Sequence, residues 1–283
     1  MAENTPMVNA WIFLNEDEPP GTVYSDPTSC YQTLISNNVY QSVDLLYLCF
    51  VTTLPTSSTT VPAGDGSSYT IAMGAPEHNQ PYMDNILKDA PANNPTIRIG
   101  VTLNWGDGSL LANIFANTSV TPQENAANFA ANLVAYMQHY GLVAFDIDWE
   151  SPICDQTTKQ QFELLFAAVG EVFGQQNTTY YLTLSPASVG NLDGDTVNEN
   201  FSFVNLQLYS GFTFPRELTA AGVNVDLFAY GAKFEANFQT AQQAYDDNQA
   251  NYHYSIFTNW RLNSDNFQFE QQQQKALYAL VFP

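Results

Sequence analysis

The sequence predicts an α/β fold, a single-domain (β/α)8 barrel spanning residues 1–283. Three observations predict it. Eight apolar runs rich in β-branched and aromatic residues recur along the chain, helical patterns separate them, and 283 residues is the length of one such barrel, which needs about 250. Continuous apolar strands alternating with helices indicate a parallel sheet covered on its outer face.

The strand-like runs fall at residues 7–14 (MVNAWIFL), 43–51 (VDLLYLCFV), 96–103, 142–149 (LVAFDIDW), 180–184, 203–209 (FVNLQLY), 225–230 and 254–260. Helices are expected at 123–140, stopped by Gly141, and at 157–173, stopped by Gly174. Two more are expected at 239–248 and 266–282. Residues 52–81 are rich in Ser, Thr, Gly and Pro and read as a long loop after the second strand, with a small hairpin around 68–73. Such a loop lies where barrel active sites are built.

Composition narrows the function classes. Hydrophobic residues make up 45% of the chain and aromatics 14%, enough for one large core, yet no run of 18 apolar residues is present to span a membrane. With 28 acidic and 7 basic residues the net charge is −21, which repels nucleic acid and anionic membranes. The charge serves solubility, or attracts a cationic partner such as a partly deacetylated amino-sugar polymer. Asn, Gln, Ser and Thr fill the surface, a pattern of secreted proteins. No basic region followed by an apolar run opens the chain, so no signal peptide is visible, and export stays open. Sequons stand at Asn117, Asn177 and Asn200.

Cys30, Cys49 and Cys154 form no CxxC pair, so a zinc ribbon or dithiol site is not expected; one disulfide plus a free thiol stays open, and Cys49 reads as buried. His78, His139 and His253 have no metal spacing. Ser185 lacks the Gly-x-Ser-x-Gly elbow of serine hydrolases. Neither a metal nor a cofactor is implied, and the chain is expected to be a monomer.

The chemistry is concentrated in the run Phe145-Asp146-Ile147-Asp148-Trp149-Glu150. Side chains alternate along a strand, so Asp146, Asp148 and Glu150 share one face and Phe145, Ile147 and Trp149 the other. Apolar Phe145 and Ile147 belong against the helices, which turns the acids into the barrel. Carboxylates spaced about 6.5 Å apart, two strand rises, repel if all are charged, and burying unpaired acids is costly. Their pKa values must separate, leaving at least one able to donate a proton near neutral pH. Calcium loops need Gly and polar spacers, whereas these spacers are Ile and Trp, which weighs against a metal site.

This run resembles the strand-four signature of glycoside hydrolase family 18, Asp-Gly-x-Asp-x-Asp-x-Glu, a family of chitinases and endo-β-N-acetylglucosaminidases on (β/α)8 barrels. The resemblance implies that Glu150 protonates the glycosidic oxygen and that Asp148 polarises the substrate's 2-acetamido group, whose carbonyl oxygen attacks the anomeric carbon. It implies that Asp146 shares a proton with Asp148. The signature's leading Asp-Gly falls on Val143-Ala144. Gln207-Leu208-Tyr209 is similar to the family's sixth-strand motif, which implies that Tyr209 hydrogen-bonds the acetamide and Gln207 the sugar. Trp260 matches the family's last-strand Trp beneath the cleaved sugar, while Trp11 and Trp105 are candidates for further subsites or for the core. The third-strand Ser-x-Gly-Gly is absent. Only residues 231–253 separate the last two strands, too few for the family's α+β insertion domain, so an open groove and internal cleavage are expected. The implied partner is chitin or another N-acetylglucosamine oligosaccharide. The alternatives are an endo-β-N-acetylglucosaminidase acting on N-glycan cores and a catalytically silent, carbohydrate-binding barrel.

Overall fold

A computed structural model describes residues 5–14, 24–59, 68–173, 179–211, 214–235 and 238–283. Its fold is a (β/α)8 barrel. The parallel strands are β1 (Met7–Phe13), β2 (Leu45–Pro55), β4 (Arg98–Leu103), β5 (Ala144–Trp149), β6 (Tyr181–Pro186), β7 (Phe203–Asn205), β8 (Phe228–Ala232) and β9 (Ile256–Asn259), and a ninth strand, β3 (Tyr69–Met73), runs antiparallel to β2. The hydrogen-bonded order is β1-β9-β8-β7-β6-β5-β4-β2-β3, with β1 also pairing with β2. Each of the eight strand-like runs in the sequence holds one parallel strand. The helices are α1 (Cys30–Ser36), α2 (Pro76–Asn93), α3 (Pro122–Tyr140), α4 (Ser151–Gln156), α5 (Lys159–Phe173), α6 (Gly194–Asn200), α7 (Pro215–Ala220), α8 (Ala241–Asn251) and α9 (Phe267–Val281).

The chain divides into two compact units. The first comprises Met1–Cys49, Ala75–Ile99 and Ala229–Pro283. In it β8, β9, β1 and the start of β2 pair in parallel, with Asn9 opposite Thr258 and Trp11 opposite Tyr47. Val8, Ala10, Ile12, Leu46 and Leu48 are fully buried, as expected of a sheet covered on both faces.

The second unit comprises Phe50–Gly74 and Gly100–Phe228 and contains β4 to β7. Here α3 illustrates how local sequence sets an element. Thr121 caps it with Glu124 in a reciprocal capping box, Pro122 occupies its first turn, and Gly141 ends it in the left-handed region at φ 66°. Phe129, Leu133 and Tyr136 bury its apolar stripe. Phe162, Leu165, Phe166 and Val169 do the same for α5. The expected stop of α5 at Gly174, like the Asn177 sequon, lies outside the described residues.

Several boundaries differ from the sequence expectation. Of the stretch 52–81, residues 60–67 lie outside the described residues, and the described part is largely regular: β2 continues to Pro55, pairs with β3 across Val51↔Met73 to Pro55↔Tyr69, and α2 begins at Pro76. Asn132 of α3 holds this hairpin by donating to Ser68 Oγ at 2.8 Å and to the Tyr69 carbonyl at 2.9 Å. The prolines at 81 and 91 inside α2 hide a helix from propensity reasoning. Residues 225–227 form a 3-10 turn, and β8 begins after it. β7 is only three residues long, so Gln207 and Tyr209 lie just past its end. All three cysteines are buried, and none of them forms a disulfide. Among the described residues no helix is long and apolar enough to cross a membrane.

Candidate active site

The carboxylate face of β5 lies entirely within the second unit. Ala144–Trp149 is buried throughout, with Phe145, Ile147 and Trp149 at 0% exposure. Trp149 packs edge-on against Phe162 of α5, which is the helix-facing role its parity predicts. The acids take the opposite parity, with Asp146 paired to Thr102 on β4 and to Thr183 on β6, and Asp148 paired to Ser185.

Asp146 is fully buried and sits in a cradle of neutral donors. Thr183 Oγ1 donates to it at 2.7 Å, Ser185 Oγ reaches both carboxylate oxygens at 2.9 and 3.0 Å, and Asn205 Nδ2 donates at 3.3 Å. Thr102 adds a further hydrogen bond. Burial raises the carboxyl to about 6, with these donors holding it down.

Asp148 carries the strongest perturbation. Burial pushes its carboxyl well above the ordinary range, and the charges of Glu150 and Asp146 push it further. Gln207 Nε2 opposes this by donating to Asp148 Oδ1 at 3.1 Å, and the same amide also bonds the Ser185 carbonyl at 3.1 Å. Glu150 sits at the N-cap of α4, half-buried, and its carboxyl is also raised, mainly by burial. Hydrogen bonds to Gln207 and Asp148 hold it below what burial alone would give. Asp148 and Glu150 share a hydrogen bond, which raises the Asp148 carboxyl and lowers that of Glu150.

Val143, where the signature has its first Asp, precedes β5, is partly exposed and is out of phase with the acids.

The remaining sequence candidates separate into groups. Tyr209 lies in the turn after β7, half-buried, within four residues of Asn205. Trp105 is in the loop after β4 with 38% of its surface exposed. In the first unit, Trp11 is buried and stacks on Tyr47 at 4.8 Å, and its ring centroid is 6.4 Å from that of Trp260. The Arg261 guanidinium lies over both Phe13 and Trp260. Among the described residues, no group of three or more His, Cys, Asp and Glu side chains is arranged to hold a metal ion.

Thr102, Thr183, Ser185 and Asn205 escaped the sequence reading. The signal was present but weak: Thr183 and Ser185 alternate in step on one strand, and Asn205 is in phase with Gln207. Only the register of β4, β5 and β6 brings them to Asp146.

A closed barrel that presents a stack of buried acids, ending in a proton-sharing pair at a strand's carboxyl end, is the framework of a glycoside hydrolase. The family model described as glycosyl hydrolases family 18 matches residues 22–276, and the chain belongs to that family. Its fold is that of solved chitinases. No curated protein sequence matches it. Solved structures with the same fold include a class V chitinase from Nicotiana tobaccum, with 10% identity, TM-score 0.70, and coverage of 98% of this chain and 100% of that one. A chitinase from Cycas revoluta in complex with (GlcNAc)3 has 11% identity, TM-score 0.62, and coverage of 96% and 99%. Human YKL-39, described as a pseudo-chitinase with retained chitooligosaccharide binding, has 10% identity, TM-score 0.64, and coverage of 98% and 99%.

Proposed function

We propose that the chain, acting as one catalytic domain over residues 1–283, cleaves β-1,4 bonds within N-acetylglucosamine polymers by substrate-assisted retention. The observation that carries this reading is the Asp148–Glu150 pair bridged by Gln207. Glycosidic cleavage needs a proton on the leaving oxygen and a nucleophile at the anomeric carbon. Of the three acids Asp146, Asp148 and Glu150, Glu150 is the most exposed, and Asp148 behind it is too deeply buried to act as an ordinary carboxylate nucleophile. The nucleophile is then the substrate's own acetamide oxygen.

In the first step the proton held by the Asp148–Glu150 pair passes through Glu150 to the glycosidic oxygen while the acetamide carbonyl closes on the anomeric carbon. Asp148, left ionised, turns to accept from the acetamide N–H, and a proton on Asp146 supports its charge from behind; Tyr209 bonds the acetamide carbonyl. In the second step Glu150, now ionised, removes a proton from the water that opens the cyclised ring, restoring the starting state with net retention. Gln207 contacts the sugar, and Trp105, exposed in the loop after β4, serves a further subsite. The protein works as a monomer, outside the cell, consistent with its low charged content and amide-rich surface.

The deciding measurement is hydrolysis of a chromogenic chitobioside by wild type and Glu150→Gln. The variant should lose about 10²- to 10⁴-fold in kcat, the usual share of a general acid, while still binding GlcNAc oligomers. Equal rates, or no activity on any acetamido-sugar substrate, would overturn the mechanism and leave carbohydrate binding as the function. A thiazoline mimic of the cyclised acetamide should compete with substrate. Release of intact glycans from a glycoprotein, without chitooligosaccharide products, would favour the N-glycan substrate.

A further inference from the structure

We infer that the loop after β6, residues 187–191, is a clasp that positions Glu150, with Asn191 as its chief positioning residue. Glu150 is the last residue before α4, a helix of only six residues. So short a helix cannot satisfy its own final carbonyls or hold its N-cap by itself. The clasp supplies what is missing, on both sides of Glu150. On one side, Ala187 N donates to the Trp149 carbonyl at 3.0 Å and Trp149 Nε1 donates to the Gly190 carbonyl at 3.2 Å. On the other, Asn191 Nδ2 donates to the Cys154 carbonyl at 2.9 Å, and Cys154 Sγ lies 3.3 Å from Ser188 Oγ. Cys154 N in turn donates to the Glu150 carbonyl at 2.9 Å, completing a chain from Asn191 to the acid's own backbone.

The loop's conformation is built for this contact. Asn191 is in the left-handed region at φ 54°, which turns its amide back toward α4, and Asn tolerates that region better than most residues. Gly190 has no room for a side chain, since a Cβ there would stand 3.1 Å from Cys154 Sγ and 3.3 Å from Ser188 Oγ. Gly108, in the loop after β4, also approaches α4 closely, where a Cβ would stand 2.1 Å from the Pro152 carbonyl. Two loops thus contact the helix, and the carboxyl at its N-cap is aimed by backbone contacts remote from the reacting atoms.

The inference rests on Glu150 being the acid, and one experiment separates the two claims. Asn191→Gly keeps the left-handed backbone and removes only the hydrogen bond; Gly190→Ala keeps the hydrogen bond and crowds the thiol. Each is assayed on the chromogenic chitobioside beside wild type and Glu150→Gln, with active enzyme counted by tight-binding inhibitor. Both loop variants should lower kcat about tenfold, the scale of a sub-ångström misalignment, with KM within about twofold of wild type. Both should also displace the limb of the pH–rate profile that reports Glu150. Variants that only lower the thermal midpoint, with kcat per active site and the pH profile unchanged, overturn the clasp and leave the hydrolase reading standing. If Glu150→Gln hydrolyses as fast as wild type, both fall.

Discussion

Asp146 offers a quantitative test of how the site is built. Its carboxyl is fully buried, and burial pushes it up to about 6 in the folded chain, against an ordinary value of 3.8. The gap is about two pH units, and at about 1.4 kcal/mol per unit the ionised form costs the fold about 3 kcal/mol. The sign follows from proton binding. Between about pH 4 and pH 6 the folded state holds more protons on Asp146 than the unfolded chain does, so stability falls as pH rises through that window. Below it both states are protonated and nothing is lost; above it the full cost is present. Asp146→Asn has nearly the same shape and no charge to bury. Its new amide N–H2 has acceptors at hand in the Thr183 and Ser185 hydroxyls, which can rotate, and in Asn205 Oδ1, which is buried without a hydrogen-bond partner. The variant should therefore match wild type near pH 4 and exceed it by about 3 kcal/mol at pH 7, or about 6–10 °C in thermal midpoint for a chain of this size. Melting both proteins at several pH values and constant ionic strength makes the comparison, because the self-repulsion of a −21 chain is nearly common to the two and cancels in the difference. A difference that stays flat from pH 4 to pH 7, or an Asn variant less stable at pH 7, would refute a buried, destabilising Asp146 charge.

Three other outcomes follow from the same contacts. Gln207→Leu removes the donor that lowers both Asp148 and Glu150, so both carboxyls rise and the limb of kcat/KM that marks loss of the acid's proton moves to higher pH; titrating the rate from acid to alkaline pH reads this directly. Thr183→Val deletes the shortest bond to Asp146 without changing shape, costing about 1–3 kcal/mol at neutral pH and less at pH 4, where the carboxyl is protonated and less dependent on donors; chemical denaturation at the two pH values measures it. Raising sodium chloride from about 0.05 to 0.5 M should raise the thermal midpoint, since screening relieves repulsion among 28 acidic residues faced by 7 basic ones; a midpoint that falls with salt would mean that ion pairs such as Lys159–Asp193 outweigh the repulsion.

Much of this protein was legible in one dimension because its signals are local. Strand runs such as residues 43–51 are apolar enough to be buried on either face, and α3 announces both ends through Thr121, Glu124 and Gly141. The acids of β5 could be assigned to one face by parity alone, and Gln207 and Tyr209 were singled out by resemblance to the family's sixth-strand motif. Local pattern failed where a neighbour decides the conformation. Helix α2 contains two prolines, and β3 exists because β2 extends to meet it and α3 holds it in place.

What the sequence by itself determined is the inventory: an alternating strand–helix chain, three acids in phase, and an apolar helix-facing side to the strand that carries them. What only the tertiary structure decided is which groups surround those acids. Thr183 lies 37 residues from Asp146 and Asn205 lies 59, and nothing in their local sequence marks them as its partners. Their roles come from strand register, which is set by side chains packing across the whole sheet. For the same reason the raised carboxyls of Asp148 and Glu150 belong to the fold, because burial lifts both and neighbouring charge lifts Asp148 further.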